Sequence, residues 1–495
     1  MTEIIGISIY VGIALGLGLA FTLGFGIMLH AGSLIRKEPL PLLFFAIIIA
    51  IMAAPIATGR LLTAGLAVSE ASFEEIGSSF WLTRVLTLGV LILCAERFFR
   101  FFLHREWTSV HSWGLFWAFV AFAISNQILN GIFGATPSFN HKVLYAFLIY
   151  FSVFLVAQSQ PERCFRFARV ALLMFFVVSI LVAVVKPGLV IEKGYLGGIP
   201  GIPFRYYGLA THANTMGPLT VVFMICLWRF PFRSRWVNLF SWFLASTSLI
   251  LTQSKTTIFV AIVIGLFLMI YRYQGRIVQS FRGGRSSLLI LITACVCFTL
   301  SLAILAAWLG ADVVGRMIYQ VDQASGGGVT TLTGRTNIWT IAWKEFLANP
   351  LFGYGPSIWG YFYRLSIGMN YAYSAHNQLL QSLSSAGLVG AAGLIFYASM
   401  LVIYALRAAP LSGGISVALV GLMLFRSFTE IPFATSNAMQ SEFFMHLLAL
   451  VACIGFLPAK QSESARPAFA PAVSGTMGTT MLAGTSLGRP GDEDH

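Results

Sequence analysis

Charged residues are what this chain has least of: 10% of 495 residues, where soluble domains carry about 25%. That scarcity, with 57% hydrophobic residues and a mean hydropathy of +0.82, excludes a soluble globular protein and predicts a polytopic membrane protein. Acidic residues are the scarcer sign, 18 against 31 Lys and Arg. A net charge of +13 would suggest nucleic acid in a soluble chain. Here the basic residues fall mainly between apolar runs, where cytoplasmic retention and anionic headgroups account for them, so no nucleic-acid partner is expected. Cysteine is also sparse. Cys94, Cys164, Cys226, Cys295, Cys297 and Cys453 lie in or beside apolar runs and read as small hydrophobes, and Cys295-Val296-Cys297 is too tight and apolar for a metal knuckle. No Asp-x-Asp motif faces outward, and the adjacent pair Glu74-Glu75 reads better as a helix cap than as a metal site. No metal and no cofactor are expected.

Apolar runs dominate what remains. They occur near residues 4–30, 40–58, 80–95, 113–134, 142–158, 167–186, 215–230, 236–252, 255–272, 287–310, 383–406, 414–429 and 438–458, and a hydrocarbon core is about 30 Å thick. An all-α fold of about 12–13 transmembrane helices follows. The opening run lacks a basic n-region and a convincing cleavage site, and reads as a retained helix. One set of alternate loops holds Arg36 and Lys37, Arg97 and Arg100, Arg163 to Arg169, Arg229 to Arg235, Arg272 to Arg285 and Arg407, which marks the cytoplasmic face. The opposite face then receives residues 187–214, the Lys255 turn, a polar insert at 310–377 and the Glu430 turn.

The expected organisation is N-terminal helices over 1–186, central helices with a first outer polar loop over 187–309, the large extracytoplasmic loop 310–377 and C-terminal helices over 378–460. From Gln461 the chain is Ala, Gly, Ser, Thr and Pro with an acidic end, a composition that cannot order itself, and 461–495 is expected to be a disordered cytoplasmic tail.

Within the insert, Ile338, Trp339, Ala342, Trp343, Phe346 and Leu347 recur at helical spacing, and Asn349-Pro350 stops the run. A short amphipathic helix at the membrane interface is predicted, with its tryptophans at home there. A Gly353-Tyr354-Gly355-Pro356 turn follows, then Trp359, Tyr361, Phe362, Tyr363, Tyr371 and Tyr373. Such rings can stack on sugar faces, Tyr354 and Trp359 among them, or form an ordinary interfacial aromatic belt.

Arg335 stands at the N-terminal edge of the predicted helix, where a cation opposes the helix dipole; this suits a phosphate or other acidic ligand, or an arginine snorkelling to headgroups. Arg205 begins the segment Arg205-Tyr206-Tyr207-Gly208-Leu209-Ala210-Thr211-His212-Ala213-Asn214 at another outer mouth. His376, followed by Asn377 and Gln378, has a side chain suited to a general base, although a lone loop histidine is often inert. Lys255 and Glu430 sit at outer turns, where ionisable residues are functional suspects or simply snorkel.

The segment TGRTNIWTIAWKEFLANPLFGYGPSIW, followed by AHNQLLQSLSSAGLVG, resembles the signature of the O-antigen ligase and O-antigen polymerase superfamily of bacterial envelope proteins. It is closest in flavour to exopolysaccharide polymerases, which share the Gly-Tyr-Gly turn and following Trp. RYYGLATHAN and SFTE are similar to secondary family features, so the resemblance runs from Arg205 to Glu430. It implies a GT-C-like membrane glycosyltransferase in the bacterial inner membrane, with its site facing the periplasm and an undecaprenyl-diphosphate-linked glycan as donor. The implied acceptor is a glycan or lipid A core, and a chain-length regulator or flippase is a further implied partner. Arg205 and Arg335 match the arginines thought to hold the donor diphosphate, and His376 the histidine thought to activate the acceptor hydroxyl. Lys255 stands where many relatives carry arginine, and His212-Ala213-Asn214 replaces the more usual Pro-Asn, so Lys255, His212, Asn214, Asn377 and Glu430 are expected only in supporting roles. Two guanidinium groups can stabilise a diphosphate leaving group without a metal. Polymerisation of lipid-linked repeat units is the first expectation, ligation of a finished glycan the alternative. A transporter or flippase is the reading from another class, weakened by the absence of an evident internal repeat.

Overall fold

The computed structural model describes residues 41–60, 62, 84–95, 112–138, 142–156, 161–195, 202–282, 335–435 and 440–457. The apolar runs at 4–30 and 287–310, Glu74-Glu75, the insert as far as residue 334 and the tail from 461 lie outside the described residues. The described chain is almost wholly helical, and eleven expected runs are helices. In order these are α1 (Leu42–Thr58), α2 (Arg84–Ala95), α3 (Trp113–Phe133), α4 (Lys142–Val156), α5 (Pro161–Val185), α6 (Ala213–Arg229), α7 (Arg235–Leu251) and α8 (Lys255–Arg282). The insert helix α9 (Arg335–Ala348) and a single short helix α10 (Tyr361–Ser366) precede α11 (Gln378–Ser412), α12 (Ile415–Ser427) and α13 (Ser441–Gly455). Among the described residues, Trp113–Phe133, Pro161–Val185, Lys255–Gln274 and Gln378–Ser412 are long and apolar enough to cross a membrane. The protein is an all-α polytopic membrane protein.

Helix α13 is the axis of the bundle. Its residues from Phe443 to Ile454 are apolar on every side apart from His446, and each is buried, as expected of a helix wrapped by others. It packs against α1, α4, α5, α6, α11 and α12. The buried His446 bonds Tyr150 Oη through Nδ1 at 2.7 Å and Tyr397 Oη through Nε2 at 2.6 Å, so neither ring nitrogen is left unsatisfied. Cys94, Cys164, Cys226 and Cys453 are buried, and none of them is in a disulfide.

Small and polar residues set how α3 meets α11. A π-helical turn at Ile124–Leu129 swings Asn126 towards α11, where its Nδ2 donates to Gly390 O at 2.8 Å and its Oδ1 accepts from Ser382 Oγ at 2.9 Å. A Cβ on Gly393 would lie 2.0 Å from Ser125 Oγ, so the close approach of the two helices requires glycine there.

Helix α11 is broken at Gly387, with φ 63° and ψ −157°. The break leaves backbone groups without helical partners, and the Gly-Tyr-Gly turn supplies them. Tyr354 N donates to Ser384 O at 2.9 Å, Gly355 N to Ser385 O at 3.0 Å, and Leu388 N returns to Pro350 O at 2.7 Å. On its other side the turn accepts from Ala135 N and Thr136 N through the carbonyls of Gly353 and Tyr354, at 3.1 and 2.8 Å. The motif thus splices the end of α3 to the kink in α11.

Candidate active site

The described polar segments around Arg205, Thr252, Arg335, His376 and Glu430 meet at one end of the bundle. The stretch 187–214, expected as a polar loop, contains two short antiparallel strands, β1 (Ile191–Lys193) and β2 (Phe204–Tyr206), with Glu192 opposite Arg205. Arg60, just after α1, anchors the segment that follows. Its guanidinium donates to the carbonyls of Leu189, Gly208, Ala210 and Thr211 at 2.7 to 3.1 Å and is only 5% exposed. Burial lowers it to about 10, which still leaves it charged near neutrality. Sequence reasoning missed Arg60 because an arginine at the end of an apolar run looks like any snorkelling residue.

Arg205 projects from β2 and is nearly buried. Its Nε donates to Thr252 O at 2.9 Å, its Nη2 to Asn214 Oδ1 at 2.7 Å, and its guanidinium lies 4.9 Å from the Tyr195 ring. The turn before α8 is shaped for this contact. Gln253 adopts φ 50°, in the left-handed region, and its Nε2 donates to Phe204 O at 2.7 Å and Ile202 O at 3.2 Å, fixing β2 from below. The contribution of the expected Lys255 turn is therefore made by Thr252 and Gln253; Lys255 itself begins α8 and is exposed.

His212 caps α6. Its Nδ1 accepts from Asn214 N at 3.1 Å, and Thr215 Oγ1 accepts from His212 N at 3.1 Å. Although the residue reaches solvent, crowding by surrounding protein and then the Arg205 charge push the imidazole down to about 3. It is neutral near neutral pH, as an accepting Nδ1 requires.

Glu430, in the turn after α12, is the hub. Its Oε1 accepts from Arg335 Nη2 at 2.9 Å and Asn214 Nδ2 at 3.2 Å, and its Oε2 lies 3.1 Å from His376 Nδ1. Its side chain is 17% exposed. Burial would raise its pKa, but the His376 hydrogen bond and charge, with Arg426 and Arg335, outweigh that and hold it at about 2. An ionised carboxylate only accepts, so His376 carries its proton on Nδ1 and, when neutral, presents a lone pair at Nε2.

His376 itself is held in the left-handed region, φ 46°, an uncommon conformation for a non-glycine residue, where its backbone N–H donates to Ser374 Oγ at 3.2 Å. Asn377 caps α11, accepting from Leu380 N at 3.0 Å, and its Nδ2 reaches Phe428 O at 3.3 Å. Gln378 Oε1 accepts from Phe433 N at 3.0 Å, so the Glu430 turn is stitched to the start of α11 on both sides.

Arg335 is the first residue of α9. Only Ile338 and Ala342 of the predicted apolar face are buried, in a small cluster with Ile358, Trp359, Tyr363 and Ala375; Trp343 and Leu347 are 48% and 60% exposed. Trp339 Nε1 donates to Ala375 O at 2.9 Å, tying the helix that carries Arg335 to the residue before His376. The expected stacking pair is differently placed. Trp359 is 5% exposed and meets Tyr363 edge-on at 5.6 Å, while Tyr354 packs on the same ring at 4.8 Å. The exposed rings of this segment are Tyr361, Phe362 and Tyr371.

Helices α6, α9 and α11 therefore bring their N-termini to a single hydrogen-bonded network in which Arg335 pairs with Glu430 and Arg205 joins through Asn214. Positive helix ends and surplus positive charge make this an anion-receptive surface. Among the described residues, no three His, Cys, Asp or Glu side chains are grouped to hold a metal.

Residues 240–395 match the model of the O-antigen ligase family. Over this region, about a third of its length, the chain is similar to the O-antigen ligase family. An O-antigen ligase domain implies a membrane glycosyltransferase-like enzyme with a lipid-linked glycan donor and a glycan acceptor. The domain as matched contains Arg335, His376 and the Thr252 turn, whereas Arg205, Asn214 and Glu430 lie outside it and join it through the hydrogen bonds above. No curated protein matches the chain.

Proposed function

We propose that this O-antigen ligase-like protein polymerises undecaprenyl-diphosphate-linked oligosaccharide repeat units at the outer face of the cytoplasmic membrane. The observation that carries the reading is the Glu430 carboxylate joined to His376 on one oxygen and to Arg335 and Asn214 on the other. Glu430 orients the imidazole so that Nε2 takes the proton from the acceptor hydroxyl. The freed oxygen attacks the anomeric carbon of the donor glycan from the face opposite the diphosphate. As that C–O bond forms, the bond from the anomeric carbon to the phosphate oxygen breaks, and its electron pair leaves on the lipid diphosphate. Arg205 and Arg335 neutralise that leaving group through paired N–H donors. Configuration inverts, and the proton on His376 passes to solvent.

Preorganised donors directed at developing charge are a large part of enzymatic rate enhancement, and both arginines are held by protein partners before any ligand arrives. The exposed Tyr361, Phe362 and Tyr371 offer faces for the glycan. The second reading, ligation of a finished glycan to lipid A core or to a protein, is favoured by the family description over residues 240–395. It uses the same donor and the same base.

The test is transfer from a labelled undecaprenyl-diphosphate glycan by reconstituted protein, with His376→Ala alongside. Loss of transfer with donor binding retained supports the mechanism; undiminished transfer removes His376 from it. In a deletion strain, accumulated single repeat units identify a polymerase and accumulated finished polymer a ligase.

A further inference from the structure

At the end of α6 opposite the site, about 25 Å away at 1.5 Å per residue over 17 helical residues, lies a cavity of about 690 Å³ between the start of α5 and the turn into α7. Four arginines line it, Arg166, Arg169, Arg229 and Arg233, against the single carboxylate of Glu162, which pairs with Arg166 at 3.2 Å. Two of the cations are fixed. Arg169 donates through Nη1 to Phe230 O and lies 3.8 Å from the Phe232 ring, and Arg229 donates through Nε to Ser412 O at 3.2 Å. Arg169 Nε is buried with no hydrogen-bond partner among the described residues. The N-terminus of α7 also opens here, with Ser234 and Val237 in the lining. Every fixed charge but one is positive, so the cavity is built for an anion.

What adjoins the cavity identifies the anion's carrier. From its rim, α7 presents Trp236, Leu239, Phe240 and Phe243, which are 81%, 62%, 51% and 67% exposed. A free anion has no use for that apolar wall, whereas a lipid does: its phosphate sits among the arginines, its acyl chains lie along α7, and Trp236 marks the headgroup level. We propose that this cavity is a binding site for the phosphodiester headgroup of an anionic membrane lipid, on the membrane face opposite the candidate active site.

The experiment uses the delipidated full-length protein, with retained lipid counted by native mass spectrometry after addition of phosphatidylglycerol or phosphatidylcholine. Phosphatidylglycerol is expected to be retained preferentially, and Arg166→Ala/Arg233→Ala to lower that retention about thirtyfold, since each basic residue near a charged lipid contributes roughly 1 kcal/mol. Arg166→Lys/Arg233→Lys should keep most of it. Melting in phosphatidylcholine checks that the variants fold, and Arg233→Glu gives a second, milder route to the same loss. Equal retention of the two lipids, or undiminished retention in both the double alanine variant and Arg233→Glu, overturns the proposal. Displacement of the lipid by millimolar inorganic phosphate alone would identify a free-phosphate site and overturn the lipid assignment.

Discussion

Glu430 Oε2 lies 3.1 Å from His376 Nδ1, although 54 residues separate the two in the chain. The contact decides which nitrogen of the imidazole is free, and it ties that choice to a carboxylate that also restrains Arg335 at 2.9 Å. The proposed base and one of the proposed diphosphate-holding groups are therefore coupled through a single side chain.

Glu430→Gln tests that coupling. The amide keeps the volume but no longer compels Nδ1 to be the donor, and it gives up the charge that Arg335 and His376 share. Transfer measured with saturating donor should fall by about two to four orders of magnitude, the range for a disabled general base, while folding by circular dichroism persists. A loss below tenfold would reduce Glu430 to a structural role.

Replacing Arg205 or Arg335 by Lys retains charge but removes the planar fork. Donor affinity, read as KM or by direct binding, should weaken by at least tenfold for each variant. Arg205→Lys should also loosen β2, because the Nε to Thr252 O bond at 2.9 Å is lost. Equal KM values for Lys variants and wild type would argue against diphosphate contact.

Gly387→Ala should be the most damaging single methyl in α11. A Cβ there would lie 2.4 Å from the Leu351 carbonyl, at a backbone φ of 63°; the strained conformation alone costs about 1–3 kcal/mol. A lowered melting temperature with loss of expressed protein is expected, whereas Gly421→Ala, with open space at its Cβ, should be tolerated.

Acid should unlock the network in two windows. His212 is depressed to about 3 from 6.5, so its contribution to stability is complete above 6.5 and is lost as the pH falls from there towards 3. Glu430 is depressed to about 2 from 4.5, so its contribution is complete above 4.5 and is lost between 4.5 and 2. Melting temperature against pH should show the upper window disappear in His212→Asn, which keeps a capping oxygen, and the lower one in Glu430→Gln.

Composition and run lengths alone determined that this is an all-α membrane protein, and eleven runs became helices, although α5 begins six residues before its expected start and α8 runs ten residues past its expected end. Hydrophobic burial is read residue by residue along a chain, so it survives without tertiary information. The TGRTN and AHNQ segments likewise singled out Arg335 and His376 as candidates. Tertiary structure decided what those residues touch. Arg205 with Asn214, Arg335, His376 and Glu430 come from four separate segments, and a hydrogen bond between side chains far apart in sequence leaves no local pattern. The same holds for the Gly-Tyr-Gly turn, whose Gly353 is required by backbone of the α11 kink and whose Gly355 by Thr136 after α3. It holds for Trp359 too, aromatic enough by sequence to stack on a sugar but turned by its φ of 64° into the Tyr363 cluster.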